Sequence, residues 1–328
     1  MIRRITRLRL VAASLACAAM LPVLAMAQPD AWPNRPVRML VPFPPGGGAD
    51  LVGRLVGHRL SELWRQPVVI ENRPGASTMI AAEAVAKSPP DGYTLLLTVS
   101  NHTSNPALFS KIPYDTQKDF TPITVIGSAP MVLVVNPAVP AKTAKELLAL
   151  LREKPGKFSY GSAGNGSVGH LAGELMKQIA KVDMMHVSYK GTAPAEIDLL
   201  AGTIDLMFTG IVTAAPQIKA GRMRGIAVGS ATRSAVLSDL PTLDETAVPG
   251  FESSIWYGLL GPAGLPPPIT AKVHADVVKV LQEPEVKAKL LSQGADAIGS
   301  SPEQFRSRIA AEITRFDRLV KAAGIKSE

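Results

Sequence analysis

The sequence predicts a two-domain α/β protein in which one domain is inserted into the other. Strands alternate with helices along the chain, which implies βαβ units and parallel sheets covered by helices. The plan of strand, glycine-rich loop and helix occurs twice, once near residues 37–60 and again near residues 158–179. Apolar runs at residues 123–135 and 256–260 read as crossings between the halves. The expected boundaries are 28–127 with 251–328 for the outer domain and 128–250 for the inner one. With 328 residues, 46% hydrophobic and 19% charged, the chain is long enough for two buried cores.

Residues 37–41 form an apolar run ending in a Pro- and Gly-rich loop. Leu51, Val52, Leu55, Val56, Leu60 and Leu63 then recur at helical spacing. Residues 68–70 read as a strand, Asn72-Arg73-Pro74-Gly75 as a turn, 80–86 as a helix of small residues and 93–99 as a third strand. Two short runs follow, 123–126 and 131–135, separated by Gly127 and Pro130. Thr143 with Glu146 fits a capping box that opens a helix to about Arg152. In the inner domain, strands are expected at 158–160, 184–188, 206–209 and 225–228. Its helices are expected through Leu171, Leu175 and Ile179, at 196–200 and at 217–219. Thr242 with Glu245 repeats the capping pattern, 256–260 crosses back, and a helix spans 269–282. The last helix opens at Ser301, Pro302, Glu303 and Gln304, with Phe305, Ile309, Ile313, Phe316 and Val320 on one face.

The formal charge of +8 is concentrated at the front. Arg3, Arg4, Arg7 and Arg9 precede an apolar run at 10–25, and Ala25-Met26-Ala27 supplies the small-x-small pattern of a cleavage site. Residues 1–27 read as a secretory signal cleaved after Ala27. Later Lys and Arg residues are scattered without interleaved aromatics, so nucleic acid is not an expected partner. Outside the leader no stretch approaches the roughly 20 apolar residues of a spanning helix. The single cysteine, Cys17, lies inside the leader, leaving no thiol for a disulfide or a Cys-type metal site.

A helix that begins directly after a glycine-rich turn presents unpaired N–H groups and the positive end of its dipole, roughly half an elementary charge. The first such loop holds Phe43, Pro44, Gly46, Gly47, Gly48, Ala49 and Asp50. The second holds Ser162, Ala163, Gly164, Asn165, Gly166 and Ser167, with His170 one turn into its helix. Either loop alone reads equally as a tight turn. Two of them, one per domain, favour an anion-binding cleft that grips a small carboxylate from both sides. Neither loop contains Lys or Arg, so backbone and hydroxyl donors rather than an ion pair are expected to do the recognition. Ser100, Asn101 and His102 belong to a polar cluster at the carboxyl end of the third strand. That is where ligands of parallel sheets lie, although the cluster also reads as a polar turn. A bulky β-branched residue at Gly47 or Gly166 is expected to block binding and leave the fold largely intact.

Residues 164–169 match G-x-G-x-x-G, but the acidic residue expected after the next strand is missing: that strand ends Ser188-Tyr189-Lys190. No cofactor is expected. Asn165 stands where G-x-S-x-G would need glycine before Ser167, and H-E-x-x-H and G-x-x-x-x-G-K are absent. His170 and Glu174 share a helix face without a third ligand nearby, so no metal is expected. Besides a binding module, two alternatives stand: an exported hydrolase using Ser167 and His170, and a ligand sensor for a signalling partner.

Several segments in order make the resemblance to a family specific. They are Trp32-Pro33 with Pro36-Val37-Arg38, residues 41–50, Glu71-Asn72-Arg73-Pro74-Gly75-Ala76, and Pro90-Asp91-Gly92-Tyr93-Thr94-Leu95. Residues 160–171, His186-Val187-Ser188-Tyr189-Lys190-Gly191, and Pro241-Thr242 with Pro249-Gly250-Phe251 complete the set. Together they resemble the Bug family of periplasmic, TctC-like solute receptors that serve tripartite tricarboxylate transporters. The resemblance implies a two-lobed periplasmic-binding-protein (Venus flytrap) fold, each lobe a mainly parallel sheet flanked by helices. It implies a carboxylate held between the lobes by residues 43–50 and 162–167. It further implies a monomeric periplasmic receptor that delivers ligand to membrane transport subunits and performs no catalysis. One departure is visible: Ser77, Thr78 and Met79 stand where the family often carries further glycines.

Overall fold

In the first sheet, β1 (Val37–Val41) lies between β2 (Val68–Asn72) and β3 (Thr94–Val99), parallel to both. The computed structural model describes residues 32–325, so the expected leader at 1–27 lies outside the described residues. Between β1 and β2 runs α1 (Gly48–Trp64), which buries Val52, Val56, Leu60 and Trp64. Gly57 is on the same face, where a Cβ would come within 2.9 Å of Ile70, so glycine permits the close approach of helix to sheet. Leu51 and Leu63, part of the apolar repeat read from the sequence, are 39% and 37% exposed, whereas Trp64 is buried. Next comes α2 (Met79–Ala86). The polar run after β3 is a helix, α3 (Asn101–Leu108), and not the turn its composition also allowed.

The two apolar runs expected around Gly127 and Pro130 form one sixteen-residue strand, β4 (Phe120–Val135). Its first part pairs antiparallel with β9 (Ser254–Pro262), and β9 pairs antiparallel with β3. From Met131 onward β4 pairs with β7 (Leu206–Gly210) and β8 (Arg224–Val228) of a second sheet. Pro130, which cannot donate to a ladder, sits where the strand changes sheets. Gly127 admits the backbone of β10 (Asp296–Ala297), since a Cβ there would lie 2.8 Å from the Asp296 carbonyl.

In the second sheet β5 (Ser159–Ser162) is parallel to β6 (Met185–Ser188) and to β7. Alternate residues of β4 serve its two faces: Leu133 and Val135 join Tyr160, Leu206 and Phe208, while Val132 and Val134 join Leu199 and Met207. The helices here are α4 (Ala144–Glu153), α5 (Val168–Ala180), α6 (Thr192–Ala201), α7 (Ile211–Lys219) and the short α8 (Leu243–Thr246). A separate core around Leu40, Leu96, Trp256 and Phe305 supports the first sheet.

The chain closes with α9 (Pro267–Gln282), α10 (Pro284–Ser292) and α11 (Pro302–Ala322). The first turn of α11 has the expected capping box of Ser301 and Gln304. Phe305, Ile309 and Val320 of the expected face are buried, Ile313 and Phe316 pack partly buried beside them, and Glu312, which was not expected there, is buried too. The Glu312 carboxylate accepts from Trp256 Nε1 at 2.9 Å, Thr103 Oγ1 at 2.8 Å and Arg308 Nε at 2.8 Å, tying α11 to β9 and α3. Further along, Leu319 and Val320 pack with Leu108 and Leu171. Among the described residues no helix is long and apolar enough to cross a membrane.

Candidate functional site

A cavity of about 560 Å³ is lined from the first sheet's side by the β1–α1 loop and from the second by the β5–α5 loop. Gly47, Gly48 and Ala49 face it from α1, and Ala163, Ser167, Val168 and Gly169 face it from α5. The two glycine loops therefore open onto one space, as the sequence suggested. Three further helices begin on the same wall: α3 at Asn101, α6 at Thr192 and α7 just after Gly210.

Most of the helix starts at this wall are bare. The residues preceding α1, α3, α6 and α7 (Gly47, Ser100, Gly191 and Gly210) make no side-chain cap. Only α5 is capped, weakly, by Ser167 Oγ accepting from His170 N at 3.4 Å. Each start leaves N–H groups without an intrahelical partner and aims the positive end of a dipole at the cavity.

Asp50 holds the first loop in shape. Its buried carboxylate accepts from Gly46 N at 2.8 Å, Arg54 Nε at 2.9 Å and Asn72 Nδ2 at 2.9 Å. Asn72 Nδ2 also reaches the Phe43 carbonyl at 2.9 Å. Burial works to raise the Asp50 pKa, but the bonds from Arg54, Gly46 and Asn72 outweigh it and bring it down to about 2. Asp50 is thus a brace inside the loop; a carboxylate in the ligand position would meet no free charge from it. Gly46, with φ +88°, forms the turn and lies off the cavity.

The second loop is braced by stacked imidazoles. The Gly166 amide donates to His170 Nδ1 at 2.9 Å, and His186 Nε2 lies 2.7 Å from Ser162 Oγ. The Ser162 hydroxyl donates to the Gly164 carbonyl at 3.1 Å, and the rings of His170 and His186 stack 3.9 Å apart. Burial lowers both pKa values, that of His186 to about 4 with His170 adding to the effect. Accepting from an amide fixes His170 Nδ1 as unprotonated, so its ring is neutral.

Of the residues expected at the site, Phe43, Pro44, Gly47, Gly48, Ala49, Asn101, Ala163 and Ser167 line the cavity. Asn165 and Gly166 instead line an adjoining chamber of about 210 Å³ that shares Asn101, Ala163 and Ser167 with it. Gly46, Asp50, Ser162, Gly164 and His170 lie behind the loops and shape them. Ser100 and His102 lie off both spaces. His102 is fully buried between Tyr114 and Phe120, donates toward the Thr116 carbonyl at 3.2 Å, and burial brings its pKa down to about 4. Sequence reasoning missed Tyr257, Ile255, Thr209 and Thr192, which line the cavity from β9, β7 and α6. Tyr257 gave a signal that could have been used, because it lies within the strand expected to cross between the halves.

The geometry does not pair Ser167 with His170 as nucleophile and base. The hydroxyl caps the helix through the His170 amide, and the ring is engaged by Gly166. Among the described residues no group of three His, Cys, Asp or Glu is placed to hold a metal ion. The expected departure at residues 77–79 has a backbone counterpart. After Gly75 (φ +123°), Ala76, Ser77 and Thr78 have φ of +44°, +48° and +79°, a region that glycine occupies without strain. Ser77 reaches the adjoining chamber, and Asn105 Nδ2 donates to its carbonyl at 2.8 Å.

Residues 52–325 match the family described as "Tripartite tricarboxylate transporter family receptor". The chain belongs to this TctC family. Among curated relatives it is similar to Protein BugT of Bordetella pertussis, 34% identical over 306 residues that cover 93% of this chain and 94% of that one. The R. palustris protein Rpa4515 with adipate superposes with a TM-score of 0.78 at 37% identity, covering 90% of this chain and all of that one (100%). MatC from Rhodopseudomonas palustris with bound malate gives 0.73 at 33% identity, over 88% of this chain and 100% of that one. The resemblance to Bug receptors and the two-lobed α/β fold are both borne out by this membership. In the TctC frame, the crossing strands β4 and β9 are antiparallel, and the strands flanking them keep the parallel order.

Proposed function

We propose that this TctC-family chain is a periplasmic solute receptor that captures a small carboxylate between two lobes and delivers it to the membrane subunits of a tripartite tricarboxylate transporter. The lobes are residues 28–127 with 251–328, and 128–250, and they close about β4 and β9. The observation that carries the reading is the convergence of five helix N-termini, from both sheets, on one cavity. Such ends hold anions through backbone N–H groups. The adipate and malate held in two similar structures support a carboxylate as the anion.

The open form exposes both loops; a carboxylate that meets donors from each is bound more tightly when the lobes are shut, and its differential affinity moves the equilibrium toward closure. The receptor acts as a monomer and carries out no chemistry on its ligand. It is exported by a leader cleaved after Ala27.

Isothermal titration of a carboxylate panel, with the recovered solute analysed for turnover, tests this reading. Saturable one-to-one binding with the solute returned unchanged is expected. Absence of binding by every carboxylate, or consumption of the solute, contradicts it.

A further inference from the structure

The composition of the cavity wall narrows the class of carboxylate. Among the described residues that line the cavity there is no Asp, Glu, His, Lys or Arg. Between the helix ends the wall is apolar, supplied by Phe43, Pro44, Val99, Met131, Val168 and Ile255. Of the side-chain hydroxyls, Thr209 Oγ1 donates to Glu196 at 2.8 Å, and Ser167 Oγ accepts from the His170 amide. The Thr192 hydroxyl and the Asn101 amide also line the cavity, and Tyr257 stands at a helix start. It is 7% exposed, its hydroxyl makes no hydrogen bond to another described residue, and it sits 2.7 Å from the position a Cβ on Gly48 would take, directly at the α1 start. Burial raises the Tyr257 pKa, so it stays a neutral donor.

Three classes of substituent meet this wall differently. A carboxylate finds N–H groups and the Tyr257 hydroxyl. A hydrocarbon body finds hydrocarbon. An ammonium finds the positive ends of five helices and no carboxylate, and loses its hydration without a counter-charge. Hydroxyls along the body face Val99, Met131 and Ile255, where they lose water without a partner.

We infer that the cavity selects carboxylic acids with an apolar body and rejects their amino and polyhydroxylated counterparts. The inference rests on the receptor reading above and specifies its ligand class. Titration calorimetry on the wild-type protein with matched pairs tests it: glutarate against glutamate, 3-phenylpropanoate against phenylalanine, and adipate against its tetrahydroxy counterpart galactarate. In each pair chain length and carboxylates are shared, and only the added group differs. In each amino pair of which a member binds, the unsubstituted acid is expected to bind about 100-fold or more tighter than its amino acid. Adipate is expected to bind about 10-fold or more tighter than galactarate. Glutamate, phenylalanine or galactarate binding within threefold of its partner, or more tightly, overturns the inference while leaving a carboxylate receptor in place. If no member of any pair binds, and the wider carboxylate panel is silent too, the receptor reading itself falls and takes this inference with it.

Discussion

Helices that begin at the cavity and helices that begin at the outer surface are finished differently. At the surface, Thr143, Thr242 and Ser301 each accept from the amide three residues on, at 3.2, 3.0 and 3.1 Å, and α9 and α10 open with proline. At the cavity, four of five starts have no side-chain cap. The starts at Thr143, Thr242 and Ser301 satisfy an amide of their own and stabilise the fold; the uncapped starts at the cavity leave amides open to a guest. One chain thus uses the same element end for two purposes.

The contrast can be broken at single residues. The largest effect is expected at Gly166, where φ is +71° and a Cβ would lie 2.6 Å from Leu108 Cδ1. Contrary to the sequence expectation, Gly166→Val should damage the fold itself, by about 3 kcal/mol or more in chemical denaturation. Gly47 behaves oppositely, because its nearest neighbour to an added Cβ is a carbonyl 3.9 Å away. Gly47→Val should leave the denaturation midpoint nearly unchanged and weaken carboxylate binding by about 100-fold, since a branched side chain covers amides that only a direct hydrogen bond can use. Equal affinity in this variant would move the binding site away from α1.

A pH series sharpens the contrast through the loop braces. His102 and His186 fall to about 4 and His170 is lowered, all mainly by burial, so each is neutral in the native state and charged when unfolded below about 6.5. Stability should be full above pH 6.5 and decline as the pH drops from there toward 4. Asp50, held at about 2, keeps its contribution throughout that window and loses it only as the pH falls through about 2. A denaturation midpoint that is flat between pH 7.5 and 5 would contradict the imidazole brace. Smaller still is Ser301→Ala, expected to cost about 1 kcal/mol of stability with no change in ligand affinity. The smallest effect is salt: with no ion pair at the wall, raising ionic strength to about 0.5 M should change the dissociation constant by less than about threefold.

Much of this was legible from residues alone. Glycine loops, capping boxes at Thr143, Thr242 and Ser301, and the strand-helix alternation are local signals, and local physics decides them. What was hidden depends on tertiary context. The runs flanking Gly127 and Pro130 look like two strands because those residues usually break one; only the handover between sheets makes a single β4 possible. Ser100 to Asn105 reads as a turn by composition and forms the start of α3, where Glu312, two hundred residues later, accepts from Thr103. Within the loops, residue type could not say which face each side chain takes. Asp50 and His170 resemble ligand groups in the sequence and are braces in the fold, while Tyr257, expected only as part of a crossing strand, reaches the cavity.

The central claim is that uncapped helix ends from both sheets hold the ligand's acid group. A crystal structure of the protein with a tightly bound carboxylate tests it most directly. The expected complex places carboxylate oxygens about 3 Å from amides of α1, such as Gly48 or Ala49, and of α5, such as Val168 or Gly169. A ligand whose acid group pairs with a Lys or Arg, or sits beyond reach of both helix starts, would contradict the account.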